Sequence, residues 1–313
     1  MADLKLFSIT QGQATEMASS SVALERDLQK LVEGNMETIF GIRFLASEYS
    51  TGKIHRGRID SLGIDEIGSP VILEYKRTTN ENVINQGLFY LDWLMDHQGE
   101  FQLLVDQRLG REAAGDIDWS APRLICVAND FTRYDEHAVR QIDRNVELVR
   151  YRDFGSELLA IELITTTTTG AGKTATSPGK PETAETHSTT HGSSRSGTAG
   201  DLLARADQEI TGLYESFEAF ALSLGEDVVK NERKNYFAFR RLKNFACVEV
   251  HPSSRNLLIY LKLDPDTVDM QEGLIRDVSN IGHFGTGDVE LRIKDRSSWQ
   301  VVEDLARRAY EAN

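Results

Sequence analysis

The stretch IHRGRIDSLGIDEIGSPVILEYKR, residues 54–77, decides the fold. Its ends, IHRGRID (54–60) and VILEYKR (71–77), read as two strands. The LGIDEIGSP between them carries the Gly, Asp, Ser and Pro of a turn. The pattern predicts a β-hairpin. Alternation along the second strand puts Val71, Leu73 and Tyr75 on one face and Ile72, Glu74 and Lys76 on the other. A carboxylate and an ammonium two residues apart therefore share one side of a sheet. Asp60 closes the first strand, and the hairpin brings its carboxylate beside that of Glu74. By the same alternation Arg56 and Arg58 share the face of Asp60, where a guanidinium suits phosphate.

Working outward, a helix is expected over roughly 81–98, with Val83, Ile84, Leu88, Leu91, Leu94 and Met95 on its apolar side. Short strands are expected at 101–105 (FQLLV), 123–128, 146–151 and 158–164, with a helix over 134–143. An earlier helix, capped by Ser20 or Ser21, carries Leu24, Leu28, Leu31 and Val32. This order predicts an α/β first domain, residues 1–164, with a central mixed sheet flanked by helices. Residues 165–200 hold no Leu, Ile, Val, Phe, Tyr or Trp, and are read as a flexible low-complexity linker. Residues 201–313 are read as a smaller α/β domain. It has a helix near 201–223, strands at 245–250, 256–262 and 288–293, and a last helix capped by Ser298.

The 313 residues have a net charge of −14. That balance argues against a protein that coats nucleic acid through bulk charge, and leaves room for an enzyme with a local basic groove. No run of 18 apolar residues exists, so no membrane span is expected. The first residues lack a basic segment followed by an apolar one, so no secretory leader is expected. Cys126 and Cys247 both fall in predicted strands, which argues against a disulfide scaffold or a cysteine zinc site. A reducing, cytoplasmic setting is the expectation.

Two carboxylates brought close ionise together only when a cation lies between them. Oxygen donors without thiol or imidazole favour Mg²⁺ or Mn²⁺ over zinc. Lys76 beside them can orient a water or stabilise charge on a phosphate. These are the requirements of metal-assisted phosphodiester hydrolysis.

Asp60 followed by Glu74-Tyr75-Lys76 resembles the Asp, spacer, Glu-x-Lys motif of the PD-(D/E)XK nucleases. The wider stretch GRIDSLGIDEIGSPVILEYKRTTNENVINQGLFYLDWL is similar to the core of NucS-like and RecB-type endonucleases. Gly57-Arg58-Ile59-Asp60 matches their first acidic element, Gln86 and Tyr90 match a Gln-x-x-x-Tyr element on the following helix, and LERDLQKLVEGN matches their first helix through Glu25. The resemblance covers about residues 20–110 and implies a restriction-endonuclease-like core. It also implies Mg²⁺ (or Mn²⁺) held by Asp60, Glu74 and the Tyr75 carbonyl, with Glu25 as a further ligand. Lys76 would position the attacking water, and Arg58, Gln86, Tyr90 and Arg56 would contact DNA. No proline precedes Asp60. NucS-like enzymes carry a dimerisation domain ahead of the core, which here comes first, so their mismatch specificity does not carry over.

The segment KNERKNYFAFRRLKNF (230–245) is a basic-aromatic patch, and Lys234, Arg240, Arg241 and Lys243 are its candidate phosphate contacts. The end of the chain, Tyr214 to Tyr310, resembles an uncharacterised domain found with such nuclease cores. The expected function is a metal-dependent DNA endonuclease in defence against foreign DNA or in repair, with a homodimer suited to cutting both strands. The alternatives are a catalytically silent DNA-binding module and an interaction protein acting through its second domain.

Overall fold

The computed structural model describes residues 4–18, 25–76, 83–155, 157–167 and 198–313. The chain divides into two compact units, Met1–Thr169 and Gly170–Asn313.

The first unit opens with a hairpin the sequence did not announce, β1 (Leu6–Thr10) and β2 (Gln13–Met17), turning through Gln11 and Gly12, both at positive φ. Then come helices α1 (Glu25–Glu33) and α2 (Met36–Phe40), strand β3 (Ile42–Ser50), a single helical turn α3 (Gly52–His55), and strands β4 (Arg58–Asp65) and β5 (Pro70–Lys76). Helices α4 (Val83–Asp96), α5 (Gln98–Leu109) and α6 (Arg111–Gly115) lead to β6 (Arg123–Ala128). Helix α7 (Arg133–Val139) leads to β7 (Asn145–Phe154) and β8 (Leu158–Thr166). Strands β3 to β8 make one six-stranded sheet in chain order. Its middle pairs, β5 with β6 and β6 with β7, are parallel and the outer pairs antiparallel, so the sheet is mixed. Parallel strands need crossovers, which the α4–α6 segment and α7 supply. Ile72, Leu124, Cys126 and Leu148 share a core with Leu91, Leu94, Phe101 and Val105 of α4 and α5. The alternate residues Val71, Leu73, Ile125, Val127 and Val149 are also fully buried, so the middle strands are covered on both faces.

The hairpin is present, but its first strand is displaced. Residues 54–57 are not strand. Thr51 grips Gly57 through three hydrogen bonds: its N–H and its Oγ1 donate to the Gly57 carbonyl at 3.0 and 3.1 Å, and its Oγ1 accepts from the Gly57 N–H at 2.9 Å. The chain between them closes into α3, capped by Arg56 at φ 50°. The strand instead continues through Leu62 and Ile64, both in the core. The turn shrinks to residues 66–69, where Asp65 Oδ1 accepts from the N–H groups of Ile67 and Ser69. FQLLV is not a strand but part of α5. Phe101 and Val105 are buried while Leu103 is 57% exposed, a four-residue spacing that fits a helix. The helix expected at 134–143 ends sooner, at Val139, and starts from a capping box between Thr132 and Asp135. Ser20 and Ser21 lie outside the described residues.

Residues 168–197, most of the expected linker, also lie outside them. Its two ends do not: Thr165 and Thr166 finish β8, and Ala199 and Gly200 begin α8 (Ala199–Leu203). The helix expected at 201–223 is therefore two, because Asp207 caps α9 (Gln208–Ser223) by accepting from the Ile210 N–H at 3.0 Å. The second unit continues with β9 (Val229–Glu232), β10 (Phe237–Arg240), β11 (Asn244–His251), β12 (Asn256–Leu261), β13 (Ile275–Asp277), β14 (Val289–Ile293) and α10 (Trp299–Ala312). Its sheet is antiparallel throughout, in the order β13-β14-β12-β11-β10-β9. Phe237, Phe239, Val248, Ile259 and Leu291 face a core shared with Leu213, Phe217, Val302 and Ala306 of α9 and α10. Ser298 stands at the start of α10 without a side-chain capping bond. Among the described residues no helix is long and apolar enough to cross a membrane.

Candidate active site

The β4–β5 ladder pairs Ser61 with Leu73 and stops there. Beyond it, side chains replace the backbone ladder. The Asp60 N–H donates to Glu74 Oε1 at 3.2 Å, and the Tyr75 N–H donates to Asp60 Oδ2 at 2.9 Å. Each carboxylate is thus held by the strand that carries the other. Glu74 is fully buried, and its second oxygen, Oε2, has no hydrogen-bond partner.

This geometry is costly for anions. Burial, opposed in part by the Tyr75 N–H and Lys76, pushes the Asp60 carboxyl up to about 6. Burial and then the nearby Asp60 push Glu74 up to about 9. Lys76 closes the group from the end of β5, donating to Glu25 Oε1 on α1 at 3.3 Å. Glu25 therefore stands beside Lys76.

Behind the acids runs a polar network that the sequence reading missed. Gln29 on α1 is buried, and its Nε2 donates to the Asp60 carbonyl at 2.8 Å and to Glu33 Oε1 at 3.0 Å and lies 3.2 Å from Ser47 Oγ. Ser61 Oγ donates to Glu33 at 2.7 Å and lies 3.2 Å from the buried Tyr75 hydroxyl. The network holds the residues adjoining both acids. Gln29 and Glu33 lie one helical turn apart, and that amphipathic spacing was the only signal available.

The other expected site residues are placed differently from one another. Tyr90 is buried, its hydroxyl accepting from the Arg58 N–H and from Gln86 Nε2, both at 3.3 Å. It braces the start of β4 rather than presenting its hydroxyl to solvent. Its ring fills the space above Gly57, where any side chain would collide with it. Arg58 is exposed and pairs with Glu48 at 3.2 Å. Arg56 does not share a strand face with Asp60, because it lies outside β4, with its Nε donating to the Lys53 carbonyl at 3.1 Å.

The basic-aromatic patch of the second unit is largely interior. Phe237, Phe239 and Phe245 are core residues. Arg240 is 3% exposed, and Arg241 pairs with Asp227 at 2.6 Å and lies over the Tyr310 ring. Lys243 is half-buried in the turn after β10, and Lys234 is exposed. They do not form one face with stacking rings. The glycine-rich segment 281–288 lies against the same sheet, with His283 stacked on Tyr260 at 4.1 Å.

Asp60, Glu74 and the carbonyl of Tyr75 are the groups that could hold a divalent cation. The donors are all oxygens, one is buried without a partner, and the two acids repel each other, which fits a hard ion. Among the described residues no three His, Cys, Asp or Glu side chains form a closed cluster. An ion held by two carboxylates keeps much of its water, as Mg²⁺ does.

Residues 199–313 match the family described as Domain of unknown function (DUF5655). An uncharacterized protein of Haemophilus influenzae is 30% identical over 98% of this chain and 99% of its own length. Two solved structures are similar to parts of it. The crystal structure of a repair endonuclease from Pyrococcus abyssi is 21% identical over 42% of this chain and 49% of that one, with a TM-score of 0.28. A structure of an EndoMS–double-stranded DNA complex is 21% identical over 42% and 47%, with a TM-score of 0.24. The match spans about half the length of either solved chain.

Proposed function

The chain belongs to the same family as the Haemophilus influenzae protein, and we propose that its first unit is a metal-dependent endonuclease hydrolysing DNA phosphodiester bonds. One observation carries the reading: the buried, unpartnered Oε2 of Glu74 beside Asp60. A buried polar atom without a partner costs roughly 1–3 kcal/mol, and a cation between the acids removes that cost while letting both ionise. Asp60 and Glu74 hold Mg²⁺ or Mn²⁺, with the Tyr75 carbonyl on the same strand. When bound, the ion makes water a better nucleophile and offsets charge developing on the phosphate.

The chain's own side chains do the rest. Lys76, kept in place by Glu25, hydrogen-bonds and orients the attacking water. Gln29 holds the Asp60 backbone so that the carboxylate does not swing away. Arg58, exposed on β4 two residues before Asp60, contacts the phosphate backbone, which gives affinity without sequence information. Defence against foreign DNA and DNA repair are the two roles that suit such a nuclease.

Purified full-length protein incubated with plasmid and with single-stranded, duplex and branched oligonucleotides tests this. Cleavage should require Mg²⁺ or Mn²⁺ and fall at least about 1,000-fold in Asp60→Ala and Lys76→Ala, the scale of losing electrostatic stabilisation in a transition state. Mn²⁺ binding, followed by calorimetry, should vanish in Asp60→Ala and persist in Lys76→Ala. Unchanged Mn²⁺ affinity in Asp60→Ala would sink the reading.

A further inference from the structure

We propose that the outer face of the second unit's sheet holds a slot for a free nucleobase or nucleoside, built on Tyr260 and filled in this structure by the chain's own His283. The slot lies within the second unit and does not rest on the nuclease reading.

The face of this sheet turned away from α9 and α10 is not an ordinary solvated one. Strand pairing sets Cys247, Tyr260, Glu290 and Arg276 side by side, with Glu249 and Leu258 in the next row. Tyr260, Glu249 and Glu290 are all buried. The segment 279–288 (SNIGHFGTGD) lies across Cys247, Glu249 and Tyr260, yet no residue of it joins the apolar core. Its grip is polar: the Phe284 N–H donates to Glu249 Oε1 at 3.2 Å, and the Thr286 N–H to Cys247 Sγ at 3.4 Å. Gly285, at φ 81°, is needed because a Cβ there would collide with Cys247. The Val278 N–H donates to the Asp288 carbonyl at 2.8 Å and ties the two ends together. A loop closed at its base and held by so few contacts can lift as a unit.

His283 sits in the slot as a ligand would. Its ring lies 4.1 Å from that of Tyr260 and within 2° of parallel, a nearly face-to-face stack that aromatic side chains disfavour. Lifting the loop takes away the ring on Tyr260 and the donor on Glu249 Oε1 together. The other oxygen, Oε2, stays fixed on His251 Nε2 at 2.8 Å. Glu290 keeps its partners within the sheet, two bonds from Arg276 and the Tyr260 hydroxyl. Glu249 is therefore the acid left to read an incoming group. That group must bring a flat ring for Tyr260 and an N–H on its edge for the buried carboxylate. Purines and pyrimidines carry both, whereas an amine brings the donor alone and a phenyl group the ring alone. A cleft of about 230 Å³ alongside, lined by Glu249, His251, Asn235 and the exposed Phe284, has room for a sugar.

Calorimetry of the full-length protein with guanosine, adenosine, cytidine, imidazole and a short oligonucleotide tests this. His283→Ala removes the built-in competitor and should bind a nucleoside about tenfold more tightly than the wild type, the scale of one stacked base. Adding Tyr260→Leu should abolish the gain, and adding Tyr260→Phe should keep it. Gly285→Ala pushes the loop off Cys247 without altering either ring, and should raise nucleoside affinity too. Thiol labelling located by mass spectrometry should reach Cys247 faster in both single variants than in the wild type. No nucleoside binding in His283→Ala and Gly285→Ala, or binding that Tyr260→Leu leaves unchanged, overturns the slot. Imidazole binding without nucleoside binding overturns the ligand class. An oligonucleotide held here more tightly than its nucleosides overturns a free ligand. Cleavage is read separately, so the slot and the nuclease reading can each fail alone.

Discussion

Glu74 is the residue on which most depends. Both it and Asp60 titrate above their ordinary range without a cation. The folded chain then holds more protons than the unfolded one between about pH 4 and pH 9, so stability falls as pH rises through that window. Glu74→Gln removes the repulsion but keeps the shape. It should raise the Tm of cation-free protein at pH 8, leave it little changed near pH 4, and abolish cleavage. Thermal unfolding of both proteins across pH 4–9 in EDTA checks this; a wild type that stabilises toward pH 9 relative to Glu74→Gln would contradict it. Adding Mn²⁺ should narrow the gap at pH 8 by binding the wild type alone. The pair itself was legible, since a Glu-x-Lys strand and a hairpin are local patterns. The missing partner of Oε2 was not, because burial of one atom depends on the whole surrounding sheet.

At the scale of elements, α1 is more than a cover for the sheet. Gln29 ties it to Asp60, and Glu33 ties it to Ser61, which lies beside the Tyr75 hydroxyl. Gln29→Ala leaves the Asp60 carbonyl and Glu33 short of a donor. It should cost roughly 1–3 kcal/mol by urea denaturation and lower cleavage about 10–100-fold, as for groups that orient metal ligands. Mn²⁺ affinity should fall with it, a change that a purely structural loss would not cause in the fraction still folded. Such long-range polar ties leave no trace in a sequence. The same holds for α3: Thr51 closing on Gly57 stops the strand at a point that strand propensity had carried straight through. Conversely β6 was readable residue for residue, because RLICVA is an apolar run buried on both faces. FQLLV has a similar composition and is a helix. Only the neighbours of a short apolar run distinguish the two.

At the scale of the molecule, each unit closes its own core. The cluster around Phe217, Phe239 and Ile259 draws only on residues from Ala199 onward, and that around Trp93 and Leu124 only on the first unit. Residues 198–313 expressed alone should therefore fold and unfold in one cooperative step. Far- and near-ultraviolet circular dichroism during melting would show it, and a broad, non-cooperative loss of signal would count against it. The sequence did not show the full sheet of the second unit. Strands β9 and β10 were hidden under the charges of the basic segment, whose aromatics prove to be core.

One further feature sets the character of the first unit. Arg123, at the opposite end of β6 from the strand position beside Glu74, is buried between Asp65 and Glu147 with ion pairs of 2.9 Å to each. It therefore joins β4, β6 and β7 through groups the chain supplies itself. The scaffold end of the sheet carries its own counter-charge in Arg123, whereas at the acid pair the chain supplies only Lys76, and on the proposed reading a cation from solution supplies the rest. On that reading, cation loss at one end would leave the strands in register at the other, held by Arg123.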